Sequence, residues 1–129
     1  MARWIGVDLD GTLAEITGTT GKHVGKPVQP MLARVKRWLA NGKRVKILTA
    51  RRLDQSQVNE IERWLKLHGI EKCDITNSKD PDMSELWDDN AIRVERNTGK
   101  LCPGCKSRHG SHSGTHAVLA DDDTILTDC

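Results

Sequence analysis

A short apolar segment that ends in two closely spaced carboxylates constrains the fold more than any other feature of the sequence. Residues 4–8 read Trp-Ile-Gly-Val-Asp, and Asp10 and Gly11 follow directly. An apolar run of this length is typical of a buried strand, and Asp with Gly is typical of the turn that ends one. The sequence therefore predicts a buried first strand with Asp8 and Asp10 at its carboxyl end.

Helical and strand-like segments alternate after this point. Apolar residues recur at helical spacing from Met31 to Leu39, and Gly42 lies just past the end of that segment. A second helix is predicted after Asp54, which can cap it. Further strands are predicted at 44–49, 73–76, 85–87 and 91–94. Because strands that alternate with helices form right-handed βαβ units, we expect an α/β protein: a three-layer Rossmann-like fold with a mainly parallel sheet, plus a short C-terminal appendix.

The composition changes near Gly99 and divides the chain into two predicted parts. Residues 1–99 contain the alternating segments, whereas residues 100–129 are rich in Cys, His, Gly and Ser. The chain has no run of about 18 apolar residues, so no membrane helix is expected. A strand-like segment so near the start leaves no room for a signal peptide, and a cytoplasmic protein is expected. The net charge of +2 is too small to indicate nucleic-acid binding by itself.

Polar side chains follow the predicted strands at the point where each strand ends. They are Asp8 and Asp10 after the first strand, Thr49 after the second, Lys79 after the third, and Asp88 and Asp89 after the fourth. The carboxyl ends of parallel strands meet at one edge of the sheet, which is where ligands bind in folds of this class. We therefore expect these side chains to form one site.

The residue types in this group suit phosphoryl transfer. Asp8 can attack phosphorus as a carboxylate nucleophile, and Asp10 can protonate the leaving oxygen and later deprotonate water. Two anions would repel a phosphate dianion, so a hard cation such as Mg²⁺ is needed, and Asp88 and Asp89 supply further carboxylate for it.

Thr49 and Lys79 suit the phosphate itself. Thr49 can hydrogen-bond a phosphoryl oxygen, and Lys79 can offset the charge that builds up between nucleophile and phosphate.

The segments DLDGT, ILTAR and WDD, with a lone lysine before the last, resemble the four motifs of the haloacid-dehalogenase-like (HAD-like) superfamily. The resemblance spans residues 4 to about 98, and the WDD segment with its continuation is similar to short phage and bacterial hydrolases of that group. It implies a phosphatase in which Asp8 is the nucleophile and Asp10 the general acid and base. Magnesium would be bound by Asp8, the backbone carbonyl of Asp10 and Asp89, with Asp88 beside them. The implied substrate-binding residues are Gly11, Thr12, Thr49, Ala50, Arg51 and Lys79. For Arg51, a solvated arginine at a helix start is an equally open interpretation.

The spacing of the motifs leaves no room for a cap domain, because the gaps from Thr12 to Thr49 and from Thr49 to Lys79 are filled by the predicted loop, helices and strand. An uncapped site admits bulky substrates. A phosphorylated small molecule such as a nucleotide, or the phosphorylated end of a nucleic acid, is therefore expected as the substrate.

Two other functional classes remain open. A receiver-type signalling domain also combines an acidic cluster with Thr or Ser, Lys and a phosphorylated Asp, but its accepting Asp lies on a later strand than its acidic pair. A non-catalytic binding module would carry its function in the C-terminal segment.

The C-terminal segment contains a candidate structural zinc site. Cys102 and Cys105 form a CxxC with a Pro-Gly centre, and Cys129 and one histidine, for which we favour His109, would complete four ligands. A hairpin pairing 117–120 with 124–127 would return Cys129 to this knuckle. The alternative is a tail without metal, or a CxxC that oxidises.

Overall fold

A four-stranded, all-parallel sheet forms the centre of the first part of the chain. The computed structural model describes residues 3–16, 23–105, 117–119 and 125–127. Its first unit, Met1–Asp88, contains β1 (Trp4–Val7), α1 (Gln29–Ala40), β2 (Arg44–Leu48), α2 (Gln55–Leu67), β3 (Asp74–Thr76) and β4 (Met83–Trp87). The strand order is β3-β2-β1-β4, and every neighbouring pair is parallel. The predicted α/β, Rossmann-like architecture is confirmed.

Helix α1 forms where the apolar periodicity predicts it. Its buried side chains are Met31, Leu32, Val35 and Trp38. Trp38 is fully buried and its ring lies 5.2 Å from that of Trp87 at the end of β4, so α1 packs on the face of the sheet that carries Trp87. Gly42 follows with a φ of +78°, a left-handed conformation that glycine adopts without strain.

Helix α2 begins at the predicted cap. The side chain of Asp54 accepts a hydrogen bond of 3.0 Å from the backbone N–H of Gln57, and this bond, with one from the Ser56 hydroxyl, lowers the pKa of the Asp54 carboxyl. The side chains of Ile61, Trp64 and Leu65 are buried. These are the inward positions expected of an amphipathic helix.

The connection from β3 to β4 contains no helix. It spans residues 77–82 and is held by Asp80, whose carboxylate accepts a 2.8 Å bond from Trp4 Nε1 and lies 3.7 Å from Lys46 Nζ. The right-handed crossover rule places α1 and α2 on one face of the sheet.

The second unit, Asp89–Cys129, corrects one predicted strand. Residues 91–94 do not form a strand, because only Val94 pairs, in a single bridge to Leu101. The chain reverses between them, where Glu95 N–H donates to the Lys100 carbonyl at 2.8 Å and Asn97 has a φ of +66°. Both bridge partners are exposed, so no buried face supports an extended strand here.

The predicted C-terminal hairpin is present. Strands β5 (Ala117–Leu119) and β6 (Ile125–Thr127) pair antiparallel, with Val118 opposite Leu126. The division between the two units lies at Asp88, ahead of the compositional change near residue 99. None of the helices in the described residues has the length and apolar character needed to cross a membrane.

Candidate active site

The turn after β1 holds two carboxylates at the carboxyl edge of the sheet. Asp8 N–H donates to the Trp87 carbonyl at 2.9 Å, which ties the end of β1 to the end of β4. The chain then folds back on itself, because the N–H groups of Leu13 and Ala14 both donate to the Leu9 carbonyl, at 3.0 and 2.9 Å. Leu9 and Leu13 are fully buried and anchor the turn, so Asp8 and Asp10 project from a fixed backbone.

Three carboxylates come together at this edge. Asp8, Asp88 and Asp89 each offer one carboxylate oxygen, and these oxygens lie within 4.8 Å of one another. The register explains the meeting of the first two, because Val7 pairs with Trp87 and the next residue on each strand is an aspartate.

This donor set fits Mg²⁺. The ion binds oxygen ligands at about 2.0–2.1 Å in octahedral geometry, which places neighbouring ligands about 3 Å apart and opposite ones about 4.2 Å apart. The upper limit of 4.8 Å on the separations of the three oxygens is close to the larger of these two distances. Carboxylates this close repel one another, and a cation between them would relieve that repulsion.

Two buried threonines line the same edge. Thr12 Oγ1 donates to Asp8 Oδ2 at 3.4 Å, and Thr49, at the end of β2, accepts a 3.1 Å bond at its Oγ1 from the backbone N–H of Arg51. Thr12 and Thr49 are only 9% and 4% exposed. Because the Thr49 hydroxyl accepts the Arg51 bond, its own proton remains a donor, as a phosphoryl oxygen would require.

Arg51 binds Asp10. Its Nε donates to Asp10 Oδ2 at 2.9 Å and its Nη2 to Asp10 Oδ1 at 2.8 Å, and its side chain is 7% exposed. The hydrogen bonds and negative charge of Asp10 raise the pKa of the Arg51 guanidinium, against the opposing effect of burial. The interpretation of Arg51 as a solvated helix-start residue is therefore wrong. The sequence does not predict this pairing, because nothing in the spacing of the two residues signals it.

Lys79 is exposed, as is Ala50. Lys79 lies in the connection after β3, and within the described part of the chain its ammonium group makes no hydrogen bond or ion pair. Its predicted contact with a phosphate stays a prediction. The same holds for Gly11, whose φ of +94° belongs to the turn after β1.

The cleft beside β3 is separate from this group. It has a volume of about 430 Å³ and lies between α2 and the start of β3, with Val58, Leu65 and Cys73 in its wall. Burial raises the pKa of the Cys73 thiol to about 12, so the thiol is neutral at physiological pH. Cys73 is a small buried apolar residue, as the sequence indicates.

The predicted zinc site is described only at one end. Cys102 is buried and disulfide-bonded, and it precedes a single helical turn at Pro103–Cys105. The Cys105 side chain, His109 and Cys129 lie outside the described residues. A sulfur in a disulfide is not a thiolate ligand, so zinc binding and this disulfide are alternative states of Cys102.

We expect the reduced protein to bind about one zinc ion per chain, because few apolar side chains are available to stabilise residues 100–129 without a metal. The measurement is elemental analysis of protein purified under reducing conditions without chelator. The Cys102→Ser variant and a chain that ends at Gly99 are the controls. Zinc in the intact chain no higher than in these two would remove the zinc site and favour the disulfide.

Comparison with solved structures finds the same fold in a conserved protein from Bacteroides thetaiotaomicron. The two align with a TM-score of 0.53 and 19% identity, over 78% of this chain and 82% of that chain. At this identity the likeness concerns the fold alone. No protein-family model and no curated protein matches the chain.

Proposed function

We propose that this protein is a magnesium-dependent phosphomonoester hydrolase of the HAD-like kind that works through an aspartyl-phosphate on Asp8. The observation that carries the proposal is the meeting of Asp8, Asp88 and Asp89 within 4.8 Å at the carboxyl ends of β1 and β4. Carboxylates placed in this way at the edge of a parallel sheet suit a site that holds both a cation and an anionic substrate. The order of the DLDGT, ILTAR and WDD segments supports the same assignment.

In this mechanism Asp8 attacks phosphorus while the leaving oxygen departs, and water then attacks the phosphorus of the aspartyl-phosphate and releases inorganic phosphate. Asp10 gives a proton to the leaving oxygen in the first step and takes one from water in the second. The Thr49 hydroxyl donates to a phosphoryl oxygen, and Lys79 reaches the phosphate from its exposed loop.

Magnesium would be held by Asp8, Asp89 and the backbone carbonyl of Asp10, with Asp88 beside them. When bound, it supplies positive charge that lets a carboxylate and a phosphate dianion approach each other.

The substrate class follows from the openness of the site. Among the described residues, the connections between β1 and β2 and between β2 and β3 carry one helix each, α1 and α2, and neither supplies a cap domain. A phosphorylated small molecule such as a nucleotide, or a phosphorylated nucleic-acid end, fits an uncapped site.

We expect the purified protein to hydrolyse an aryl phosphate only when Mg²⁺ is present. Activity lost on chelation should return with added Mg²⁺, and Mg²⁺ should raise the melting temperature, because a ligand that binds the native state stabilises it. In the variant carrying both Asp88→Asn and Asp89→Asn, the melting temperature should no longer respond to Mg²⁺.

The matched control is Asp74→Asn, which replaces an exposed carboxylate at the start of β3. Its activity and the response of its melting temperature to Mg²⁺ should be those of the wild type. A protein that accepts phosphate once without turning over would favour the signalling class. A protein that neither turns over nor responds to Mg²⁺ would favour the non-catalytic binding module.

A further inference from the structure

The guanidinium of Arg51 makes more contacts than an ion pair needs. Besides its two bonds to Asp10, its Nη1 donates to Gln57 Oε1 at 3.1 Å and its Nη2 donates to the His23 carbonyl at 2.9 Å. A guanidinium has five N–H donors. Within the described residues, four of them are therefore committed to protein acceptors, and one is left for a ligand.

We propose that Arg51 is a positioning residue for Asp10 and not a phosphate contact, an inference that rests on the proposed function and deepens it. The fork from Arg51 meets both oxygens of the Asp10 carboxylate and fixes the plane of that group. An ionised carboxylate has about four lone-pair sites, of which the fork uses two. Each oxygen thus keeps one site, and the proton that Asp10 gives to the leaving oxygen, or takes from water, would occupy one of these two sites.

Burial gives this arrangement its rigidity. The Arg51 side chain is 7% exposed, whereas that of Asp10 is 29% exposed. The buried guanidinium has little contact with water, so its charge is stabilised mainly by the carboxylate of Asp10. Separating the two groups would leave the guanidinium charge poorly solvated, which is unfavourable. Asp10 is consequently held from its buried side and open on its solvent side.

The same guanidinium connects Asp10 to the segment that follows the turn. Nη2 of Arg51 bonds both Asp10 and the His23 carbonyl, and Trp64 Nε1 of α2 donates to the Gly25 carbonyl at 2.8 Å. Residues 23–25 are thereby fastened on both sides of Val24, at the His23 carbonyl by Arg51 and at the Gly25 carbonyl by α2. The proton-transfer group and this segment share one anchor, so a change at Arg51 moves both.

The test uses Arg51→Gln and Arg51→Lys, with single-turnover rates of the first step on two substrates. An aryl phosphate has a good leaving group that needs little protonation, whereas an alkyl phosphate needs a proton from Asp10. If either substitution displaces the Asp10 carboxyl, the first step on the alkyl phosphate should slow on the order of a hundredfold, as small displacements at catalytic centres do. The first step on the aryl phosphate should slow by less than about tenfold. The substrate concentration that gives half-saturation, and the inhibition constant of inorganic phosphate, should change little.

Two comparisons make the result specific. Arg52→Gln, at the exposed neighbouring position, should leave both rates unchanged. Adding Arg51→Gln to Asp10→Asn should cause little further loss, because the arginine acts through a carboxylate that is already gone. Arg51→Lys keeps the charge without the fork, so its loss should again be larger for the alkyl phosphate, even if Arg51→Gln does not fold.

A phosphate contact predicts the opposite pattern. The rates on both substrates would then fall equally, and the substrate concentration that gives half-saturation would rise. Inorganic phosphate would inhibit more weakly, and the double variant would be slower than Asp10→Asn alone. That result overturns the positioning role and leaves the proposed function standing. A wild-type protein without phosphatase activity overturns the proposed function and this inference with it.

Discussion

Replacing Asp8 with asparagine should reduce turnover of every phosphate ester by a factor on the order of a thousand or more. An amide cannot form the acyl-phosphate bond, so the covalent step has no nucleophile. The change keeps the size of the side chain and its ability to accept the Thr12 bond, so the fold should survive. Steady-state rates with saturating Mg²⁺ measure the loss, and circular dichroism checks the fold.

The control for this experiment is Asp74→Asn, which removes one negative charge at an exposed position and should retain full activity. If Asp8→Asn keeps more than about a tenth of wild-type activity, the covalent mechanism is wrong, since losses of catalytic nucleophiles are far larger than this.

Replacing Trp38 with alanine should lower the free energy of unfolding by about 3–5 kcal/mol, the usual range for a buried tryptophan. Trp38 is fully buried and its ring lies 5.2 Å from that of Trp87, so the substitution leaves a cavity and removes this ring contact between α1 and the end of β4. Urea denaturation of the purified variant measures the effect. The prediction does not depend on any enzymatic activity.

Two further variants bracket this value. Leu67→Ala removes an apolar side chain that is 78% exposed, and its effect should be within about 0.5 kcal/mol. Trp38→Phe should cost less than Trp38→Ala, because Trp38 Nε1 is buried without a hydrogen-bond partner among the described residues and phenylalanine removes that donor. Equal losses for Leu67→Ala and Trp38→Ala would mean that α1 contributes little to the core.

The helices and the first two strands could be predicted because their signals are local. Helix α1 has its apolar residues at helical spacing, and α2 has a cap at Asp54 that binds Gln57 N–H, as expected. The predicted strand at 91–94 failed for a reason that is not local. A segment of that composition becomes a strand only where a sheet edge and a buried face accept it, and Val94 is 54% exposed.

The site was predictable to the same extent. Asp8 and Asp88 could be placed together because strand ends in a parallel sheet share an edge, whatever the detailed packing. The fork between Arg51 and Asp10 could not, because it depends on which side chain can reach which across the turn after β1. Residue types and spacing leave that choice open, and here four hydrogen bonds decide it.

The strand order also has a consequence for how the protein folds. β1 pairs with β2 on one side and with β4 on the other, and on that second side Trp4 lies opposite Met83. Pairing of β1 with β4 closes a long stretch of chain, and this costs more conformational entropy than pairing of strands that are close in the sequence. We therefore expect β4 to dock late. During synthesis β1, α1 and β2 leave the ribosome before β4 exists, and until then the edge of β1 has open hydrogen-bonding groups. Asp8 and Asp88 meet only when that edge closes. The proposed cation site would therefore form only once β4 has docked, and nascent chains stalled before Trp87 would lack it.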